Sequence, residues 1–284
     1  MTTRKPRSSP RPSKPERGRP APSGSGPPSG RTTRETTKVA VLSCTHAPFT
    51  DQAAWDWAIE TLKIFKPDVL VHLGDWIDTS PVASYPNEDH HSQSDEYSMA
   101  AEQSAQLRDV VGPRCRLVRL EGNHESRLGE NRRNVNPRLR DSLHWSYHPE
   151  LGPEWKHWES LPYCKDERGI FRVGDIVCYH GFDCGNKSDE LEGLQMNWMI
   201  GAPSRVLLVR GHTHKPIPIT QVKRTEKVLL PYWYTNVGHL GPARPSWMHN
   251  KDTSQWGNAM LLARTGAQGS GWSGELVERK PSGH

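Results

Sequence analysis

No stretch of this 284-residue sequence stays apolar for anything near the roughly 18–20 residues that cross a bilayer. No membrane association is expected. The N-terminus carries basic side chains but lacks the apolar core of a secretory signal. Cysteine is scarce and scattered, with five residues (Cys44, Cys115, Cys164, Cys178, Cys184) and no C-x-x-C pair. A disulfide framework is therefore not expected, and this cysteine usage suggests a reducing cytoplasm. Hydrophobic residues make up only 33%, low for a chain that packs along its whole length.

The shortage lies at one end. Residues 1–37 hold Met1 and Ala21 as their only hydrophobic residues, and eight of the 24 prolines. Nine basic side chains there meet two acidic ones, a charge of +7, while the remaining 28 basic and 30 acidic residues leave −2. So poor an apolar content cannot offset the entropy of ordering. Residues 1–37 thus read as a disordered basic tail and residues 38–284 as the folded domain. The prolines also break the amphipathic helix of a transit peptide. The tail is either a solubilising linker or a contact for nucleic acid or another polyanion, and no aromatic is interleaved for base stacking.

After Thr37 the texture changes. Lys38–Ser43 is a short β-branched apolar run and reads as a strand. Ala53–Phe65 places Trp55, Ala58, Ile59, Leu62 and Phe65 at helical spacing, with Asp51 as cap and Pro67 as stop. Asp68–Leu73 and Arg116–Leu120 read as further buried strands, with a polar-faced helix over Ser94–Val111 between them. This alternation predicts a right-handed α/β unit. The second half leans towards β structure. Ile170–Tyr179 reads as a hairpin turning at Gly174-Asp175, and Lys187–Met199 as a helix. Strands are expected at Arg205–Arg210, Ile217–Val222, Val228–Tyr234, Ala259–Ala263 and Trp272–Glu278. Two mixed sheets facing each other with flanking helices is the simplest assembly. Residues 126–165, rich in Arg, Trp, His and Pro, read as an insertion over one face.

The chemistry sits at strand ends. The first strand runs into Cys44-Thr45-His46, the second into Gly74-Asp75-Trp76-Ile77-Asp78, and the third into Gly122-Asn123-His124-Glu125. The hairpin ends at His180-Gly181, and the Arg205–Arg210 strand at Gly211-His212-Thr213-His214. Loops beyond the carboxyl ends of sheet strands are where α/β proteins gather ligands. Any one of these clusters could be a helix cap or a packed imidazole. Five in succession, each after an apolar strand, point to a metal site.

Together the blocks resemble those of the calcineurin-like metallophosphoesterase superfamily: D-x-H, G-D-x-x-D, G-N-H-[DE], a lone His, and G-H-x-H. The resemblance runs from about Lys38 to His239 and is specific in every block but the first. It implies a four-layer α/β/β/α metallophosphoesterase sandwich. It also implies two divalent metal ions (Mn, Zn or Fe), one on Cys44, His46 and His214 and the other on Asn123, His180 and His212, with Asp75 bridging. Two cations about 3.5–4 Å apart hold a hydroxide and stabilise in-line displacement. The implied activity is hydrolysis of phosphomono- or phosphodiesters. By the same pattern His124 is the general acid, and Asp78 either orients it or caps a helix.

The first block departs from the family, with Cys44 in place of aspartate. A thiolate binds zinc or iron well; a neutral packed thiol would leave the first position weak. Thr79-Ser80 replaces the Arg-Gly of the Ser/Thr protein phosphatases, which argues against that branch. Arg127, Arg132 and Arg133 follow the acid and suit a second phosphate or a nucleic-acid backbone, or else form a solvated loop. Trp76 is placed to wall the pocket and stack a base. A nucleotide or nucleic-acid phosphoester is the expected substrate class. The alternative is a catalytically weak nucleic-acid-binding or adaptor protein that reuses the fold.

Overall fold

In the computed structural model the apolar runs pair into two sheets that face one another. The structure describes residues 36–83, 91–131, 143–185, 187–201, 205–223, 231–245, 248 and 252–280, all within the unit Glu35–His284. The tail expected over residues 1–37 lies almost wholly outside them.

In chain order the first half comprises β1 (Thr37–Leu42), α1 (Gln52–Phe65), β2 (Val69–His72), α2 (Gln93–Val111), β3 (Arg116–Leu120) and α3 (Asn123–Asn131). There follow α4 (Leu151–Trp155), β4 (Glu159–Leu161), β5 (Phe171–Val173), β6 (Ile176–Cys178) and α5 (Ser188–Met199). The last strands are β7 (Leu207–Arg210), β8 (Pro216–Val222), β9 (Tyr232–Val237), β10 (Ala259–Thr265) and β11 (Trp272–Glu278). One sheet has the order β11-β10-β1-β2-β3-β4 and the other β5-β6-β7-β9-β8. Strands β1 to β4 are parallel neighbours, as are β6, β7 and β9.

Alternation along each strand sets the layers. Val39 and Val41 of β1 pack between the sheets with Val71, Val118, Leu207 and Val209. Ala40 and Leu42 face the other way, onto Trp55, Ala58 and Leu62 of α1 and Ala100 and Leu107 of α2. Burying such a leucine fully contributes roughly 1.5–3 kcal/mol. Behind the second sheet, Val177, Leu208 and Tyr232 meet Met196 of α5. Helix, sheet, sheet, helix: the architecture is the four-layer α/β/β/α sandwich.

Local signals hold α1 and α2 in place. The Asp51 side chain accepts the Ala54 N–H (2.7 Å), and Lys66 closes α1 in the left-handed region. Ser92 and Asp95 form a reciprocal capping box at the start of α2. Two expectations change. The described parts of residues 126–165 are not an insertion over a face: they supply edge strand β4 and the core side chains Trp155 and Trp158, and residues 132–142 lie outside the described set. The strand expected at Val228–Tyr234 starts later, after Pro231, and runs to Val237, with residues 224–230 outside the described set. Its polar end is buried because Thr235 and Asn236 have hydrogen-bond partners there.

Candidate metal centre

The parallel strands deliver five loops to one edge. Backbone bonds Cys44 N–H to Gly74 O (3.0 Å), His46 N–H to Asp75 O (3.0 Å) and Ala47 N–H to Trp76 O (2.7 Å) continue the β1–β2 pairing past the strands. The loops then turn sharply. Cys44, His46, Asp75, His212 and His214 all have φ between 50° and 69°, in the left-handed region that costs a side-chain-bearing residue of order 1–3 kcal/mol. Strain of this kind persists where surroundings over-determine it, and here it falls on five of the seven expected ligands. Cys44 and His46 converge by this left-handed path, not by the alternation of an extended strand. Gly122 allows the loops to close, since a Cβ on it would run into Asp75 Oδ1 and come within 2.7 Å of the His180 ring.

The donors fall into three groups: one is His46, Asp78 and His124, and the other two share Asp75. Cys44, His46, Asp75 and His214 offer ligand atoms all within 4.8 Å of one another, and so do Asp75, His180 and His212. His46 Nε2 lies 3.0 Å from His214 Nε2, and His180 Nε2 lies 3.2 Å from His212 Nδ1, Asp75 Oδ2 and Asn123 Oδ1. All seven expected ligands therefore lie in or against these two groups.

The imidazole tautomers can be read from their outer partners. His180 Nδ1 lies 2.8 Å from the Leu73 carbonyl, which can only accept, so that nitrogen carries the hydrogen. His46 Nδ1 faces Asp78 Oδ1 at 3.0 Å in the same sense, and His212 Nε2 faces Cys184 Sγ at 2.9 Å. His46 and His180 thus point Nε2 inward as a lone pair, the arrangement that outer hydrogen bonds impose on metal-binding histidines, whereas the thiol at His212 Nε2 can donate or accept and leaves that ring's tautomer open. At these distances the inward Nε2 atoms of His46 and His180 can accept a hydrogen bond from His214 and His212 or offer the same lone pair to a cation. His214 Nδ1 is buried with no partner among the described residues. The donor set fits divalent ions.

Electrostatics agree. Burial, and then His180, push His212 down to about 3, while burial with His239 and His46 holds His214 well below the usual imidazole range. Both are neutral and able to ligate at pH 7. Burial would raise the Asp75 carboxyl, but His180, His124 and His46 outweigh it and hold it well below its usual range. Burial, reinforced by Asp75, pushes the Cys44 thiol well above the ordinary value. A nearby cation is what would draw its proton off.

His124 sits above the shared carboxylate, with Nε2 4.0 Å from Asp75 Oδ2. Its backbone N–H donates to Asp75 Oδ1 (3.0 Å), and its Nδ1 donates to the Asp78 carbonyl (2.7 Å). Burial lowers its pKa, but Asp75 and Asp78 more than reverse that, raising it to about 9. Asp78 Oδ1 touches both His124 Nδ1 (3.2 Å) and His46 Nδ1 (3.0 Å), so this carboxylate braces a ligand candidate as well as the acid candidate.

Several residues have contacts that the sequence reading did not assign. Glu125 is buried, and its carboxylate accepts the N–H groups of Gly122 (2.8 Å), Asp75 (3.0 Å), Trp76 (2.6 Å) and Ile77 (3.2 Å). Glu96 accepts those of Thr79 (2.7 Å) and Ser80 (2.9 Å). Asn236 Nδ2 donates to Gly211 O (2.9 Å) and Thr213 Oγ1 (2.8 Å), fixing the G-H-T-H loop. His239 stacks on His214 with ring centroids 4.8 Å apart. A carboxylate three residues into a helix, or an Asn ending a strand, gives no sequence signal of such contacts.

One expectation fails. Trp76 is 1% exposed, stacks on His72 and donates from Nε1 to Gln103, so it packs the helix-side core and does not wall the site. Arg132 and Arg133 lie outside the described residues.

Fold and motifs have a counterpart among known sequences. The chain belongs to the calcineurin-like phosphoesterase family, whose profile matches residues 37–240. Solved structures similar to it include a metallophosphoesterase from Sphaerobacter thermophilus, at 14% identity and TM-score 0.46, covering 87% of this chain and 90% of that one. Yfce, a phosphoesterase from E. coli, is similar at 16% identity and TM-score 0.39, covering 80% and 91%. Vps29 from Entamoeba histolytica, complexed with Zn+2, is similar at 12% and 0.38, covering 85% and 98%. No curated protein matches the chain. Among the described residues no helix is long and apolar enough to cross a membrane.

Proposed function

We propose that this chain hydrolyses phosphoesters with two divalent ions, one held by Cys44, His46, Asp75 and His214, the other by Asp75, Asn123, His180 and His212. The observation that carries the reading is Asp75, a single carboxylate common to two of the donor groups with the His124 ring 4.0 Å away. When bound, the ions supply the nucleophile and spread the charge of the displaced phosphoryl group.

The chain's own residues do the rest. Asp75 brings both positions together with two oxygens and a full charge. The Asp78 carbonyl keeps a proton on His124 Nδ1, so Nε2 is the atom that gives its proton to the leaving oxygen. Neutral imidazole with Nδ1–H remains, and water restores it. With Trp76 buried, base stacking gives no support for a nucleotide substrate. Hydrolysis of a chromogenic phosphomonoester or diester is expected to vanish on exhaustive chelation and to return with added Mn, Zn or Fe. Full turnover by the metal-free protein would reject the reading.

Cys44 is the ligand whose role has most to lose by experiment. Its sulfur sits fully buried, 3.0 Å from Ser43 Oγ and 3.4 Å from the His212 amide nitrogen. As a thiolate ligand it favours zinc or iron over Mn. Cys44→Asp is expected to keep two ions and shift preference towards Mn, and Cys44→Ala to lose occupancy of the first position. Metal stoichiometry by elemental analysis decides this. Unchanged occupancy in Cys44→Ala removes the thiol from the site.

A further inference from the structure

Arg127 stands three residues after His124 on α3, on the same helix face. It is half-buried, and its fork lies along the imidazole: Nη1 is 3.2 Å from Nδ1 and Nη2 is 3.2 Å from Nε2. Nη1 also donates to the Asp78 carbonyl (3.2 Å). Arg108, Arg116, Arg168 and Arg210 each meet a carboxylate. Among the described residues Arg127 meets none. A guanidinium so placed adds positive charge beside the candidate acid, whose own carboxylate neighbours are Asp75 and Asp78.

Position decides which part of a substrate it would touch. An oxygen that takes the proton from His124 Nε2 lies about 2.8 Å from that nitrogen, and so within about 6 Å of Arg127 Nη2. That oxygen is the leaving one. A neutral alcohol offers the fork nothing there, whereas a phosphoryl group presents two oxygens that match it.

Resting on the phosphoesterase reading above, we propose that Arg127 is a specificity-determining residue that selects substrates with a second phosphoryl group on the scissile oxygen, that is, phosphoanhydrides. Water adds across the bond: the reacting phosphorus gains a hydroxyl, and its bond to the bridging oxygen breaks. That oxygen leaves with the second phosphoryl group, takes the proton from His124 Nε2, and is held by Arg127.

Two uncleavable mimics test this, phenylphosphonate and methylenediphosphonate, which differ in that second anionic group. Each is titrated calorimetrically into the metal-loaded protein, with metal content measured before and after so that stripping is seen. The wild type is expected to bind methylenediphosphonate the more tightly. Arg127→Met is expected to weaken it by about 10- to 100-fold more than it weakens phenylphosphonate, the scale of a lost charge-assisted contact. Arg127→Lys should recover part of the difference, as a point charge without the fork. Equal weakening of the two mimics, or none, overturns the role given to Arg127 and leaves the phosphoesterase reading standing. A wild-type protein that holds its ions and binds neither mimic overturns both.

Discussion

Asp75→Asn is expected to leave a folded protein that has lost both ions together and about 10³-fold or more of its turnover. The fold should survive because the amide is nearly isosteric and its oxygen can still accept the His124 backbone N–H, as Asp75 Oδ1 does at 3.0 Å. What disappears is Oδ2, the atom 3.2 Å from His180 Nε2 and 3.9 Å from His46 Nε2. An NH2 group there points donors at nitrogens that already compete for a cation. Loss of one electrostatic group at a reacting centre commonly costs 10²–10³, and here one substitution weakens two ions. Elemental analysis beside circular dichroism checks it. A variant that keeps two ions and normal turnover shows that Asp75 is not the shared ligand.

His124→Ala should behave in the opposite way, retaining metal and losing rate by about 10²–10⁴. The ring's hydrogen-bonding partners are Asp78 and Arg127, it packs edge-on against His46 with centroids 4.5 Å apart, and its contact with Asp75 Oδ1 runs through the backbone and outlives truncation. The loss should shrink for a nitrophenolate leaving group, which departs with little protonation, and be largest for a simple alkoxide. Comparing kcat for an alkyl and a nitrophenyl ester in both proteins measures the difference. An equal loss for the two esters would assign the ring to positioning, not to proton transfer.

Much of this centre was legible before any coordinates. Strands buried on both faces, such as V-A-V-L in β1, announce themselves as unbroken apolar runs, and the candidate ligands follow directly at their ends. β4 was not legible, because Glu159, Ser160 and Leu161 form three residues of an edge with no alternation to read. Trp76 misled for a related reason. Its place inside a motif says nothing about direction, and the left-handed turn at Asp75 sends the next side chain to the helix side. Glu125 and Asn236 were opaque because their value lies in backbone groups distant in sequence. Asp78 was only half legible, since its contact with His46 spans 32 positions.

Glu125 ties the turn after β2 to the first turn of α3 through four amides on one carboxylate. Loop and helix are thereby joined as a lever would be, with Asp75 at one end and Arg127, two residues beyond Glu125, at the other. Filling the anion seat would steady the helix, and through the lever the shared carboxylate. On the two proposals above, occupancy of the cation positions and of that seat is reciprocal: whatever factor the anion adds to metal affinity, the metals add to anion affinity.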